Sequence, residues 1–263
     1  MTEIITTENL GYVYTQPPRR ALENVTFSVE RGQFVAIMGP NGSGKTTLVK
    51  LLLGLLRPSE GCAIVRGACP THQRHAVQQC IGYVPQHEGV NSQVPVTARD
   101  VVHMAAACRY EGVFSRKEIN RRVYAALDMV DLADMANHPF RALSGGQQQR
   151  ALIARALVVD PVILIADEPF AGVDAVSHQT ILNLLHTLSH EKEVTVLAVV
   201  HDINPMVHFL DRVLLLNTRM VAFGLPAEVL TTDVLRQAYG KAVPILTCDA
   251  GFLHPITGAH HDG

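Results

Sequence analysis

The chain opens with short runs that predict β-structure. Two of them, EIITTENLGYVY and NVTFSVERG, are rich in strand-forming residues, and the second alternates apolar and polar positions like a half-buried strand. The next run, QFVAIMG, is apolar, which is typical of a strand buried on both faces. Residues 44–55 then predict a helix, and the runs CAIVRG and CIGYVPQ predict further strands.

The pattern becomes helical from about residue 97 to residue 158. The helical runs are TARDVVHMAAACRY, SRKEINRRVYAALDMV and GGQQQRALIARALVV. The runs that follow are strand-like PVILIAD, helical VSHQTILNLLHTLSHE, strand-like VTVLAVV, a hairpin pattern in RVLLLNTRMVAFG and helical PAEVLTTDVLRQAYG. Strands that alternate with helices indicate an α/β fold with a mainly parallel sheet.

These patterns predict one domain over residues 1–240 and a C-terminal tail over residues 241–263. The core consists of residues 1–86, which begin with an antiparallel β subdomain, and residues 159–240. An α-helical subdomain at 87–158 is predicted to be inserted between these two parts of the core.

Composition and charge mainly exclude functions. A formal net charge of −2 gives no electrostatic reason to expect nucleic acid as a partner, and we interpret the pair Arg19–Arg20 as part of a solvated loop. The N-terminus lacks a secretory signal, and the longest apolar runs are too short or too interrupted to span a bilayer. The five cysteines form no CxxC pair, which predicts reduced thiols in a cytosolic protein rather than a metal site.

The stretch GPNGSGKTT, residues 39–47, connects the predicted buried strand to the predicted helix. It fits the pattern G-x-x-x-x-G-K-[ST], in which glycines let backbone N–H groups turn inward and the helix N-terminus attracts anions. The predicted nucleotide-binding residues of this P-loop are Gly39, Pro40, Asn41, Gly42, Ser43, Gly44, Lys45, Thr46 and Thr47. Lys45 is expected to reach the β- and γ-phosphates, and Thr46 to ligate Mg²⁺.

A P-loop alone does not separate kinases, GTPases, helicases and transport ATPases. A second glycine-containing stretch, LSGGQQQR, begins at Leu143 and opens a predicted helix. Ser144, Gly145, Gly146 and Gln147 are candidates for a second anion-binding surface at that helix N-terminus. Two half-sites in one chain suggest a nucleotide site shared between two chains, although Ser144 could also serve simply as a helix N-cap.

Two acids and a histidine complete the candidate chemistry. The strand-like run PVILIADEP ends in Asp167 and Glu168, whose side chains are expected to point to opposite sides of the strand. Asp167 is suited to Mg²⁺ and Glu168 to polarising an attacking water. His201 follows another apolar strand, at the ligand edge of a parallel sheet, and can donate a hydrogen bond to a γ-phosphate.

Together, these motifs resemble the nucleotide-binding subunit of ATP-binding cassette (ABC) transporters, over about residues 5–240. The resemblance implies a RecA-like P-loop NTPase fold, ATP and Mg²⁺ as ligands, and ATP hydrolysis. It also implies that Tyr14 stacks on adenine, with Tyr12 as the weaker candidate and an ordinary strand role as the alternative for either. Gln86 matches the family glutamine that touches Mg²⁺ or water, and Asp174 matches its D-loop. No motif residue departs from the family pattern.

Finer resemblance points to the ATPases of manganese/zinc-type importers. It rests on IGYVPQHEGVNSQVPVTARDVV, DEPFAGVDA and DRVLLLNTRMVAFGLPAEVLT. This implies a peripheral protein at the cytoplasmic face of the cell membrane that drives uptake of manganese, zinc or iron. The expected partners are a second ATPase subunit in a homodimer, integral-membrane permease subunits and, indirectly, an extracytoplasmic metal-binding protein.

Other functions stay open at this point. A siderophore or cobalamin importer ATPase resembles metal-ion ATPases closely. A soluble, non-transport ABC ATPase usually carries coiled-coil insertions or two cassettes, and this chain has neither. An ATP-dependent scaffold without catalysis fits poorly with intact Glu168 and His201. The tail residues His254, His260, His261 and Asp262 offer metal ligands, but a flexible, solvated tail is the simpler interpretation.

Overall fold

The computed structural model of the protein describes residues 2–86, 95–110 and 112–256. Its strands are β1 (Glu3–Thr15), β2 (Pro18–Glu30), β3 (Phe34–Met38), β4 (Glu60–Val65), β5 (Ile81–Val84), β6 (Ile163–Asp167), β7 (Thr195–Val199), β8 (Arg212–Asn217), β9 (Arg219–Gly224), β10 (Ile245–Thr247) and β11 (Leu253–Pro255). Its helices are α1 (Lys45–Leu52), α2 (Arg74–Cys80), α3 (Ala98–Tyr110), α4 (Arg116–Asp128), α5 (Gly145–Leu157), α6 (Ala175–His190), α7 (Pro226–Val229) and α8 (Thr232–Tyr239), and short 3-10 helices lie at Ala133–Met135, Phe140–Ala142 and Val207–Phe209.

The chain forms two compact units. Unit 1 comprises Met1–Gln78 and Thr195–Gly263, and unit 2 comprises Gln79–Val194. In unit 1, β1 pairs antiparallel with β2 and with β4, while β3 lies between its parallel neighbours β7 and β8, and β9 pairs antiparallel with β8. All five residues of β3 are buried, so both faces of this interior strand are covered, as its apolar sequence predicts.

Unit 2 combines the parallel pair β5–β6 with the helices α3 to α6. The pair α3–α4 packs on α5, and α5 also packs against β5. This last contact is close because Gly82 has no side chain: a Cβ at that position would lie 2.4 Å from the carbonyl oxygen of Ala156. The start of α5, which carries Ser144–Gln147, is therefore held on a helix that is packed from two sides.

The predicted fold class is confirmed: the core strands pair mainly in parallel, a separate antiparallel β-sheet opens the chain, and a run of helices lies between β5 and β6. Sequence patterns missed α2 and the β10–β11 hairpin, which lies in the segment interpreted as a tail. The last predicted helix is in fact two, α7 and α8. The tail residues His260, His261 and Asp262, and residues 87–94 of the importer-like stretch, lie outside the described residues.

Candidate functional site

The P-loop in unit 1 runs from the end of β3 to the start of α1. Gly39 and Gly44 have positive φ angles, 150° and 103°. A Cβ at Gly39 would lie 2.0 Å from the carbonyl oxygen of Leu216, and one at Gly44 would lie 2.5 Å from that of Ala21. Both positions therefore require glycine, as the motif predicts.

The helix that follows begins without a side-chain cap. Gly44 occupies the N-cap position of α1 and supplies no hydrogen bond from a side chain, whereas Ser115, Ser144 and Asp174 cap the starts of α4, α5 and α6. The first N–H groups of a helix lack intrahelical acceptors, and the macrodipole makes that end positive. An anion is therefore the natural cap for α1.

Two side chains of the P-loop strengthen this conclusion. Lys45 is only 7% exposed, and its Nζ donates to the carbonyl oxygens of Gly39, at 2.8 Å, and Pro40, at 3.1 Å. Ser43 is buried, and its Oγ has no hydrogen-bond partner in the described chain. A buried hydroxyl without a partner, beside a cation and a helix N-terminus, fits the phosphate groups of a nucleotide.

The β1–β2 hairpin reaches the same turn. Tyr14 and Arg19 are cross-strand partners in this hairpin. The Tyr14 hydroxyl lies 3.2 Å from Thr47 Oγ1, and Arg19 Nη2 donates to the Gly42 carbonyl oxygen at 3.0 Å. Tyr14 thus lies next to the P-loop, while Tyr12 packs edge-on against its ring at 4.9 Å between centroids. Arg19, interpreted from sequence as a solvated residue, is a P-loop contact that no motif indicated.

His201 lies at the same sheet edge as the P-loop. In the parallel pair β3–β7, Ile37 is the register partner of Val199. Gly39 and His201 each follow two residues later, so the turn and the histidine leave neighbouring strands at the same level. The His201 residue is exposed there. Unit 1 therefore carries Tyr14 in contact with the P-loop, and His201 at the sheet edge from which the P-loop leaves.

Unit 2 carries both candidate acids at the end of β6 and Gln86 just beyond the end of β5. Asp167 ends β6 and is 2% exposed, and Glu168 follows with a φ angle of 52°. The expected strand alternation does not apply to Glu168, because its left-handed backbone takes it out of the strand. Gln86 is exposed just beyond β5, whose Val84 is the register partner of Ala166. The ends of β5 and β6 therefore place Gln86 and both acids at one edge.

The donors predicted for Mg²⁺ are a hydroxyl in unit 1, Thr46, and two side-chain oxygens in unit 2, from Gln86 and Asp167. Thr46 is exposed, and Asp167 is the one carboxylate of this set. Hydroxyl, amide and carboxylate oxygens suit a hard cation that binds through few protein ligands. The residue types therefore fit Mg²⁺.

The LSGGQ segment forms a capping box at the start of α5. Ser144 Oγ accepts from the Gln147 N–H at 3.3 Å, and Gln147 Oε1 accepts from the Ser144 N–H at 2.9 Å. Ser144 is thus the N-cap that its sequence position suggested. This cap fixes the orientation of the Gly145–Gly146 turn, which is the part expected to face an anion.

The D-loop lies against this turn. Asp174 caps α6 and accepts from the N–H groups of Val176, at 3.1 Å, and Ser177, at 3.0 Å. Hydrogen bonding by Ser177, first through its N–H, lowers the pKa of the Asp174 carboxyl below its ordinary value. A Cβ at Gly146 would lie 2.2 Å from Ser177 Oγ. The glycine therefore permits the starts of α5 and α6 to touch.

Comparison with known proteins agrees with these motifs. The ABC transporter family model matches residues 22–171. The manganese transport system ATP-binding protein MntB of Bacillus subtilis is 39% identical over 241 residues, which are 91% of this chain and 93% of that protein. The zinc uptake system ATP-binding protein ZurA of Listeria innocua is 35% identical over 261 residues, 95% of this chain and 99% of that protein.

Solved structures give the same result. A dimeric ATP-binding cassette in a post-hydrolysis state, bound to ADP and Pi, matches with a TM-score of 0.74 and 32% identity, covering 84% of this chain and 98% of its own. A metal-chelate type ABC transporter in an inward-facing conformation matches with a TM-score of 0.82 and 28% identity, covering 97% of each chain. The chain belongs to the ABC transporter family and is one of its ATP-hydrolysing cassettes.

Proposed function

We propose that the protein is the ATPase subunit of an importer for a divalent metal ion: manganese, zinc or iron. The observation that carries the proposal is its similarity, over at least 90% of the chain, to ATP-binding proteins named for manganese, zinc and metal transport. Binding and hydrolysis of ATP would drive uptake. The ion itself would be cargo of the permease, with no contact to the nucleotide.

The residues of unit 1 bind the nucleotide. Tyr14 packs against the adenine, and the N–H groups of the P-loop turn and Lys45 hold the phosphates. His201 donates a hydrogen bond to the γ-phosphate. This assignment is supported by the uncapped start of α1, the buried Ser43 hydroxyl and the common sheet edge of Gly39 and His201.

The predicted residues at the ends of β5 and β6 in unit 2 catalyse the hydrolysis of ATP. Glu168 orients the attacking water and accepts its proton, and Gln86 would contact the same water or Mg²⁺ when it is bound. Thr46 and Asp167 would hold Mg²⁺, which neutralises phosphate charge when bound. The position of Glu168 supports its role, because it directly follows the buried Asp167 at the end of β6.

The working form is a dimer in which each nucleotide lies between the P-loop of one chain and the LSGGQ segment of the other. Ser144, Gly145, Gly146 and Gln147 then contact the γ-phosphate of the partner's nucleotide, and Asp174 lies beside that contact. ATP closes the dimer because both chains bind its phosphates, and hydrolysis reopens it. A homodimer is the simplest arrangement with two equivalent sites.

The helical subdomain at 87–158 would contact the permease at the cytoplasmic face of the membrane. Large apolar side chains are exposed on its helices and their connections: Met104, Val113, Phe114, Tyr124 and Met129. In the proposed complex, the permease would cover these side chains. Within the described ranges, none of the chain's own helices has both the length and the apolar character of a membrane span.

The test is ATP-driven transport. The chain, purified with its permease and reconstituted in vesicles, should accumulate Mn²⁺, Zn²⁺ or iron only when ATP is present on the side of the ATPase, and Glu168→Gln should stop uptake. Accumulation of a siderophore or cobalamin, with no uptake of the free ions, would instead support the second candidate, which the likeness to the metal-chelate type transporter favours. ATP hydrolysis without an associated permease or transport would contradict both.

A further inference from the structure

A group of metal-ligating side chains lies in unit 1, outside the nucleotide-binding residues. His208, Cys248 and His254 each present one ligand atom, a ring nitrogen or the thiol sulfur, and these atoms all lie within 4.8 Å of one another. Cys248 and His254 lie close together in sequence, but His208 is in a separate segment, and the three residues follow no metal-binding motif. This explains why cysteine spacing alone predicted no metal site.

The fold brings the three side chains together through the β10–β11 hairpin. Leu246 pairs with His254, and the Cys248 N–H donates to the Phe252 carbonyl oxygen at 3.1 Å. Because side chains alternate along a strand, Cys248, Phe252 and His254 share one face of the hairpin. His208, on the 3-10 helix after β7, faces them: its ring centroid lies 4.2 Å from that of Phe252 and 5.4 Å from that of His254.

A second observation also points to a ligand. The Nε2 atom of His254 is buried and has no hydrogen-bond partner in the described part of the chain. A buried ring nitrogen without a partner is costly, and a metal ion would satisfy it. Cys248 is a free, half-buried thiol, and His208 is exposed, so one side of the group is open to solvent.

We propose that His208, Cys248 and His254 form a binding site for a zinc-class divalent ion, with water as the fourth ligand. Two imidazoles and one thiolate are borderline-soft ligands, which suit Zn²⁺ and Co²⁺ far better than Mg²⁺ or Mn²⁺. Tetrahedral coordination with these ligands needs ligand atoms about 3.5 Å apart. In the structure these atoms are up to 4.8 Å apart. Rotation of the exposed His208 ring and a small movement of the hairpin toward it would bring them to the distance that the ion requires.

A hydrogen bond connects the proposed metal site to the segment that carries His201. The Asn204 side chain donates from Nδ2 to the Pro255 carbonyl oxygen at 2.9 Å, which ties the strand of His254 to the loop between His201 and His208. The ion would therefore be held on the same stretch of chain as a predicted nucleotide ligand, although it does not depend on nucleotide.

Titration of the nucleotide-free, full-length chain tests the proposal. Zn²⁺, measured in competition with a chromogenic chelator, should bind at one ion per chain with micromolar affinity or better, and Mn²⁺ at least about 100-fold more weakly. Co²⁺ should give thiolate-to-metal absorption in the near ultraviolet. Cys248→Ser should abolish that absorption, and Cys248→Ser, His208→Gln and His254→Gln should each weaken Zn²⁺ binding by at least about tenfold.

Matched controls separate this site from other thiols and imidazoles. Cys108→Ser and His138→Gln, which alter exposed residues in unit 2, should leave both signals unchanged. In the full chain, His260→Gln combined with His261→Gln should keep the ion. Loss of Zn²⁺ in that double variant, unchanged binding in Cys248→Ser, or tighter binding of Mn²⁺ than of Zn²⁺ would each overturn the proposal. Circular dichroism without metal checks that the variants are folded.

Discussion

Glu168 combines an acidic side chain with an unusual backbone. Its φ angle of 52° costs a non-glycine residue about 1 kcal/mol or more relative to an ordinary conformation. The bonded turn around it, in which the Ala171 N–H donates to the Glu168 carbonyl oxygen at 3.2 Å, holds this conformation. The turn therefore sets the direction of the Glu168 side chain. The sequence-based prediction, in which the side chain follows strand alternation, does not apply here.

Replacing Glu168 by Gln should separate binding from hydrolysis. The amide has the same shape but cannot accept the proton of the attacking water, so we expect kcat to fall by about 10²- to 10³-fold while ATP affinity changes little. Phosphate release and nucleotide titration measure the two effects. Glu191→Gln, at the exposed end of α6, is the matched control. Turnover at the parental rate would remove Glu168 from this role.

Lys45 is expected to act in binding instead. Its ammonium group is held over the P-loop by two carbonyl oxygens, and a charge-assisted bond to phosphate contributes about 1.5–3 kcal/mol. Lys45→Ala should therefore weaken ATP affinity by about tenfold to 100-fold, measured with a fluorescent nucleotide. Lys50→Ala, an exposed change on the same helix, should have no effect. Equal affinities of Lys45→Ala and parent would contradict the phosphate assignment.

Among the secondary-structure elements, α5 and α6 meet at their N-terminal ends. Both starts are fixed by side-chain caps, Ser144 for α5 and Asp174 for α6. The contact depends on the absence of a side chain at Gly146, which faces Ser177. The LSGGQ motif therefore serves packing within unit 2 as well as its predicted contact with nucleotide.

Gly146→Ala should test this packing role. A Cβ 2.2 Å from Ser177 Oγ forces the two helix starts apart, so we expect a loss of about 1–3 kcal/mol in the free energy of unfolding. Denaturant unfolding measures it. Adding Ser177→Gly removes the colliding side chain and should recover part of the loss, with glycine in a helix costing about 1 kcal/mol itself. Undiminished stability of the single variant would contradict the close contact.

For the whole molecule, the central proposal is a nucleotide site shared by two chains. It predicts that the Glu168→Gln chain dimerises in ATP, because hydrolysis no longer reopens the dimer. Ser144→Arg in that background should abolish the dimer, since a bulky cation replaces the small hydroxyl that meets the partner's nucleotide.

Size-exclusion chromatography with and without ATP measures this dimer, and nucleotide titration should show that Ser144→Arg leaves binding by the single chain intact. Asn120→Arg, at an exposed position of α4, is the control and should dimerise normally. A dimer that persists with Ser144→Arg would mean that the LSGGQ segment does not face the partner.

The sequence predicted the parts of the fold that depend on local patterns. Apolar runs predicted β3, β6 and β7. The P-loop motif predicted glycines at Gly39 and Gly44, where the backbone has positive φ angles. The sequence did not predict contacts that form only when separate segments of the chain fold against each other. Arg19 reaches Gly42 only because it pairs with Tyr14 across a hairpin, and Cys248 meets His208 only because β10 and β11 fold back. Such contacts leave no periodic signal along the chain.

The hydrogen bond from Asn204 to Pro255 indicates that the ATPase domain includes the C-terminal hairpin. A polypeptide that stopped at Gly240 would contain every motif of the family, yet the Asn204 amide would lose its acceptor in the interior. The short stretch between β7 and the 3-10 helix at Val207–Phe209 would then lack its fastening to the C-terminal strand. The β10–β11 hairpin therefore stabilises the loop that begins with His201. Its deletion should make that loop, and with it the position of His201, less ordered.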